Sequence, residues 1–461
     1  MSLRELFRTK PIGKKEPAGE SLQPCLTTLD LILFGIGAII GAGVFVLTGV
    51  VAATTAGPAV IISYLIAGLA SMFAALSYAE LAASIGGCGS AYNYAYVGFG
   101  EFIAWLIGWN LIFEYGLSVA TVAIGWAGYV NDVLFSLNIH LPTAFIQGPL
   151  LGGTVNILAV LIVAILALLL CAGVRESARF NAIIVFIKLS TIVFFLAIAV
   201  THLHYRYWIP FFPHGWSGVM EGAALVFFAY IGFDALSTAA EETIQPQRSI
   251  PLGIIVSMVV CTLIYIIVAA ALTGIVPYKT LNVSSPVAAA MLQLEHPLAA
   301  GVIGAGAIAG LTTVMLVMFY GLTRIILAMG RDGLLPPIFS KISKTTHTPI
   351  PVIISSGLIM ACFAGLLPIH RAAELVNIGT LTAFTLVCAG VIVLRKTQPN
   401  LPRPFKLPLN PLIPSLGVIF CTYLMFNLPA ITWWRFLGWL IIGVIIYFVY
   451  SRKHSVLGAR K

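Results

Sequence analysis

Four glycines in nine residues, within GIGAIIGAGVF (35–45), interrupt an apolar run otherwise long enough to cross a bilayer. Gly in a helix interior costs roughly 1 kcal/mol relative to Ala, and lipid penalises every unpaired backbone group further. Such a break repays its cost where something needs bare N–H and C=O groups. An α-amino acid carries an ammonium and a carboxylate on one carbon. Free carbonyls suit the first, and free N–H groups at a half-helix N-terminus suit the second. Two other readings compete. Gly37-x-x-x-Gly41 is also a small-residue packing pattern, and the run superficially matches a dinucleotide fingerprint. The fingerprint fails without a soluble βαβ setting. Packing alone does not account for a second break, in VFFAYIGFDA (226–235), where Gly232 precedes an acid inside an apolar run.

Three ionisable residues lie where lipid disfavours them. Lys188 sits in IIVFIKLSTIVFFL, Glu114 in GWNLIFEYGLS, and Asp234 just beyond the second break. A lysine near a span's centre costs about 2.5–3.5 kcal/mol on insertion scales. Snorkelling is the structural alternative, but roughly ten residues separate Lys188 from the span's start, or about 15 Å of helix. That depth makes a functional role the stronger reading for Lys188. For Glu114 and Asp234 the alternative is a buried hydrogen bond between helices. Phe228, Tyr230 and Met318 are large side chains near the breaks, suited either to core packing or to a pocket lid.

These residues need spans to hold them. The 461-residue chain is 60% hydrophobic and 9% charged, with mean hydropathy +1.02. It reads as an all-α polytopic membrane protein, without the alternation of a membrane β-barrel. Seven scattered cysteines give no disulfide framework. Twelve apolar runs are expected near 29–53, 58–83, 99–130, 154–172, 178–201, 217–241, 250–276, 298–329, 350–368, 372–394, 411–430 and 432–451. The first is read as an uncleaved span after a basic tail, 1–28. With both termini cytoplasmic, only Arg206, Lys279, Arg371 and Arg435 of the 25 lysines and arginines fall outside, and Lys188 falls within a span. That bias favours this count of crossings, and it makes the net charge of +9 a matter of topology rather than of nucleic-acid binding. Breaks in spans one and six point to an inverted repeat of five spans, 29–201 and 217–394, with helices 11 and 12 (411–451) and a C-terminal tail (452–461) outside it. Glu80 and Glu101 are expected at the cytoplasmic interface, and Glu241, Glu242 and Arg248 in one inner charge cluster.

Enzyme signatures are absent. There is no HExxH, no paired Cys/His ligand set, no phosphate-binding loop and no nucleophile elbow. No metal or cofactor is expected, and short tails argue against a sensor with a soluble signalling domain.

GIGAIIGAGVF, GSAYNYAYVGFGEFIAWLIGWNLIFEY (89–115), FFAYIGFDALSTAAEETIQPQRSIPLGI (227–254) and PRPFKLPLNPLIPSLG (402–417) together resemble the amino acid–polyamine–organocation superfamily. They are most similar to its cationic amino acid transporter family in a bacterial form. The resemblance covers essentially all twelve spans. It implies a LeuT-type five-plus-five fold with broken helices 1 and 6, alternating access, and a location in the bacterial plasma membrane. It implies that the N–H groups of Ala42 and Gly43 take the substrate carboxylate, with Ile40 and Gly41 adjoining. The carbonyls of Ile39, Phe228 and Ile231 take the amine, and Ala229 lies in the same site. Lys188 matches the span-five lysine of proton-coupled relatives, which implies proton coupling through a bridge to carbonyls near Gly35–Ala38 and a hydroxyl such as Thr312, with Glu114 as the second proton-coupling candidate. Eukaryotic members have two further spans, which this chain lacks. The expected partners are L-amino acids, protons and membrane lipids. The expected function is proton symport of amino acids, with cationic ones included, and amino acid exchange as the alternative. Asp234 and Met318 are the candidate selectors of the side chain, since the backbone motif reads only what all amino acids share.

Overall fold

A computed structural model describes residues 6–11, 22–136, 138–149, 152–283, 285–366, 369–426 and 430–459. Arg4, Lys14, Lys15, Arg460 and Lys461, all placed on the inner side above, lie outside the described residues, as does the side chain of Arg371.

The described residues form helices and no named strand. A capping box opens the first, α1 (Thr28–Ile39): Thr27 accepts from the Asp30 N–H while the Asp30 carboxylate accepts from Thr27. After a break, α2 (43–56) continues with two turns of widened π-helix. The chain turns at Gly57, whose φ is +63°, into α3 (Val60–Ile85). A short α4 (Ala91–Gly98) leads to α5 (Glu101–Ser136). Then come α6 (Ile157–Ala172), α7 (Val174–Thr201) and α8 (Gly215–Val226). The last runs through a single 3₁₀ turn, Phe227–Tyr230, to a second break and a 3₁₀ helix, Phe233–Glu242. The remainder is α9 (Pro246–Ile275), α10 (Pro286–Gln293), α11 (Pro297–Arg331), α12 (Ile350–Leu366), α13 (Ile369–Thr397), α14 (Leu412–Phe426) and α15 (Ala430–Ile446).

Among the described residues, eight helical stretches are long and apolar enough to cross a membrane, and α6, α12 and α14 are shorter apolar helices. The first stretch, Thr28–Ile85, holds 58 residues, whereas about 20 suffice for one crossing. This is an integral membrane protein. Helix limits fall within a few residues of the apolar runs, with two informative exceptions. The short helices α4 and α10 carry too little apolar length to register as spans. And α7 begins at Val174, so Lys188 lies fourteen residues into it, or about 21 Å.

Both chain ends meet at one end of the molecule. Arg8 pairs with Glu101 at 2.6 Å, and Ser455 and Tyr447 donate to the same carboxylate. The Val456 N–H reaches the Asp332 carbonyl, while Lys10 pairs with the Asp332 side chain at 2.7 Å. At this end the chain entering α1 also lies beside the chain leaving the 3₁₀ helix, in a parallel bridge between Leu26 and Thr243. Gly35 approaches Leu236, Ala38 approaches Gly232 and Gly43 approaches Ala229, so the two interrupted elements run in opposite directions. Glu80 and Glu101 sit at this basic end, and neither side chain is exposed. Both are buried, Glu80 against Arg395 and Arg403, because a fixed guanidinium removes the need for water.

Candidate functional site

At the first break Ile40 turns extended, with φ −76° and ψ 102°, before Ala42 and Gly43 restart the helix. The N–H groups opening α2 have no intrahelical partner by position. At the second break Ile231 is extended, and Gly232 adopts φ +121°. A Cβ on Gly232 would also stand 2.9 Å from the Ala38 carbonyl oxygen and 3.1 Å from the Met318 Cε. Only glycine satisfies both demands. The breaks face each other closely: a Cβ on Gly43 would lie 2.4 Å from the Ala229 Cβ. Ile39, Ile40, Gly41, Ala42, Gly43, Ala229 and Ile231 thus converge at one level, with Met318 of α11 alongside.

The four glycines of the first run divide into two pairs. A Cβ on Gly35 would strike Ser257 of α9, and one on Gly37 would strike Asn181 of α7. Those two let neighbouring helices approach. Gly41 and Gly43 flank the break itself.

Tyr265 of α9 joins the two breaks. Its hydroxyl lies 2.7 Å from the Ile39 carbonyl oxygen and 2.9 Å from that of Ala229, with one proton to donate. The Phe228 carbonyl accepts from the Ile231 N–H. Tyr64 donates to the Gly43 carbonyl, and Tyr230 donates to the Tyr64 carbonyl. These tyrosines were not singled out from sequence, apart from Tyr230 as a large side chain. A lone aromatic ring in CTLIYIIVAAAL is the only sign Tyr265 offers.

Lys188 is fully buried, and its ammonium is surrounded by four oxygens: the carbonyls of Ile36, Gly37 and Ile40, and the Thr313 hydroxyl, all within 3.1 Å. The hydroxyl is not that of Thr312, which accepts from Trp126 instead. One residue along a helix rotates a side chain by about 100°, enough to turn Thr312 away from α7. Glu114 is not brought to Lys188. It sits on α5 and accepts from Thr380 of α13 at 2.5 Å. The Asp234 carboxylate, also buried, accepts a hydrogen bond from Tyr115 of α5.

Toward the basic end, Glu242 is buried with Arg324 at 2.8 Å, and Tyr320 donates to the same carboxylate. Glu241 pairs with Arg331. Arg248 joins neither pair, so the expected three-residue cluster does not form. The partners come from α11, 82 and 90 residues away in sequence, rather than from the next turn of chain. A cavity of about 300 Å³ lies beside Glu242, bounded by Cys25 before α1, Arg175 and Glu176 of α7, and His347. Among the described residues no group of His, Cys, Asp and Glu is arranged to hold a metal.

Two helices broken at one level, facing each other in a bilayer and joined by buried polar side chains, define a membrane transporter rather than an enzyme. The amino acid permease family profile matches residues 26–450, and the chain belongs to that family. It is 48% identical over 460 residues to the branched-chain amino acid permease BcaP of Bacillus subtilis, covering 98% of this chain and 99% of the relative. It is 44% identical to the methylthioribose transporter of the same organism, covering 99% and 100%. A vacuolar cationic amino acid transporter 4 of Arabidopsis thaliana is 37% identical over 86% of this chain and 68% of its own length.

Proposed function

We propose that the chain is a proton-coupled symporter of amino acids in the bacterial plasma membrane, with twelve spans and cytoplasmic termini, working by alternating access. The meeting of both chain ends supports an even number of crossings. The antiparallel run of the two broken elements supports an inverted repeat of 29–201 and 217–394. In this reading the N–H groups of Ala42 and Gly43 receive the carboxylate. The carbonyls of Ile39, Phe228 and Ile231 receive the ammonium. The cavity beside Glu242 is the inner vestibule, closed by the Arg324–Glu242 pair.

The observation that carries the coupling is the Lys188 ammonium set among three carbonyls of α1 and its break, and a hydroxyl of α11. A charge there ties α1 to α11, and its loss frees them. Unlike arginine, lysine can release its proton when buried. Proton and substrate are then linked through one conformational equilibrium. Glu114, held by Thr380, is the reserve candidate.

For the substrate, the kinship to BcaP and the placement of Met318 against Gly232 favour a short aliphatic side chain over a long cationic one. The kinship to a methylthioribose transporter supports a second reading, since that name describes a thioether sugar rather than an amino acid. Uptake into proteoliposomes decides between them. The panel is valine, leucine, alanine, arginine, lysine and methylthioribose, with pH and sodium gradients imposed separately. Accumulation of an amino acid driven by the pH gradient alone supports symport. Counterflow without net accumulation supports exchange, and uptake of methylthioribose alone removes the zwitterion clamp.

A further inference from the structure

At the basic end, the start of α9 and the loop between α13 and α14 enclose an open groove of about 440 Å³. Its walls change character along α9. Gln247 and Arg248 lie in the first turn, while Pro251, Leu252 and Ile255 follow one to two turns deeper, facing Pro404 and Phe405 across the gap. No acidic residue lines it. The Arg248 side chain is exposed and makes no hydrogen bond or ion pair among the described residues. Arg8, Lys10, Arg324, Arg331, Arg395 and Arg403 at the same end are all engaged. Lys406, next to Phe405, is likewise exposed and unpaired.

We propose that this groove is a binding site for one anionic phospholipid of the leaflet at the basic end, with its phosphate at Arg248 and an acyl chain along Leu252 and Ile255. The order of the lining is that of a lipid, charged at the surface and apolar about 10 Å deeper along the helix axis. Below the groove the apolar track continues on the outside of α9 through Val259, Leu263 and Ile267, all substantially exposed. A soluble phosphate would use Arg248 and leave that track empty. A lipid occupies both. Only three residues separate α9 from Glu242, so the bound lipid ties the helix that follows the second break to the loop preceding α14.

The test is native mass spectrometry of the delipidated full chain, titrated with phosphatidylglycerol and phosphatidylcholine in separate runs. It reads lipid retention alone, so its outcome is independent of any transport assay. Wild type is expected to retain phosphatidylglycerol preferentially. Arg248→Gln is expected to reduce that preference about fivefold, the usual weight of one cationic side chain at an anionic surface. Ile255→Trp, which fills the apolar half, is expected to lower retention of both lipids. Lys341→Glu, at an exposed position outside the groove, is expected to leave the preference unchanged. The proposal is overturned if wild type shows no preference, or if Arg248→Gln retains it in full. It is also overturned if glycerol phosphate raises the melting temperature as much as the lipid does, since that marks a site for a soluble anion.

Discussion

The Lys188 ammonium lies 2.9 Å from the carbonyl oxygen of Ile40, at the point where the first helix breaks. The Ile36 and Gly37 carbonyls stand within 3.1 Å of the same nitrogen. A helix end that loses its backbone partners must find others, and here a side chain from α7 supplies them. Any change in the charge of Lys188 therefore acts on the break directly.

Lys188→Ala and Lys188→Arg are both expected to abolish accumulation driven by a pH gradient with sodium absent. Alanine removes the ammonium that gathers three carbonyls, leaving Ile36 only the Ile40 N–H and Gly37 only the Thr313 hydroxyl, and arginine keeps a charge it cannot release. Binding of substrate, measured by thermal shift, is expected to survive in at least the arginine variant. Undiminished concentrative uptake by either variant refutes the coupling role and redirects it to Glu114.

Gly43→Val is expected to abolish substrate binding. The new side chain meets the Ala229 Cβ at 2.4 Å and its Cα at 2.9 Å, so the two breaks must part. Gly35→Ala, equally crowded but against Ser257 of α9, is expected to cost stability with little change in KM for the protein that folds. Equal effects on KM at the two positions would place the clamp elsewhere.

Gly35 and Gly43 mark the limit of what sequence alone discloses. Both stand in one glycine run, and the run locates the break correctly, but nothing in it separates a glycine that admits a helix from one that frees the backbone. Helix limits were legible because lipid demands about 20 apolar residues per crossing. Lys188 was legible because depth along a span follows from counting. Partners were not legible. Arg248 is near Glu242 in sequence, yet Arg324 holds that carboxylate. Thr313 rather than Thr312 meets Lys188 because rotation about α11 depends on packing that no local pattern encodes. The tyrosines that join the breaks share this fate: Tyr265 reads as one more aromatic in an apolar helix.

Tyr265→Phe is expected to raise KM several-fold without unfolding the protein. It removes the hydroxyl that reaches both the Ile39 and Ala229 carbonyls, and a single neutral hydrogen bond is worth about 0.5–1.5 kcal/mol. Unchanged KM, read from initial uptake rates, shows that the two half-helices hold their spacing without it.

The Arg324–Glu242 pair is buried, with each side chain 1% exposed. Breaking such a pair from one side typically costs about 3–5 kcal/mol because the remaining charge has no partner. Arg324→Met is therefore expected to lower the melting temperature sharply, and adding Glu242→Gln is expected to recover part of the loss. If the double variant is no more stable than the single one, the cost lies in packing around Arg324, including its stacking on Tyr320, rather than in the stranded carboxylate.

Met318 and Asp234 give the test of selectivity. A backbone clamp reads the ammonium and carboxylate that all amino acids share, so discrimination must come from what surrounds the side chain. Met318 closes on Gly232, with its Cε 3.1 Å from the position of a Cβ there, which shortens the space available. Asp234 lies two residues further on, its carboxylate already holding the Tyr115 hydroxyl. Met318→Ala is expected to raise arginine uptake relative to valine by about tenfold, the lower range for adding or removing small groups in an apolar pocket. Asp234→Asn in that background is expected to remove the gain, because a guanidinium entering the enlarged pocket loses its counter-charge. Tyr115→Phe, which releases the carboxylate from its internal partner, is expected to move the ratio the same way as Met318→Ala. The measurement is competitive uptake of labelled arginine and valine in all three variants and wild type. A ratio that stays constant throughout places selection on other residues and leaves Asp234 a structural acid between α5 and the second broken helix.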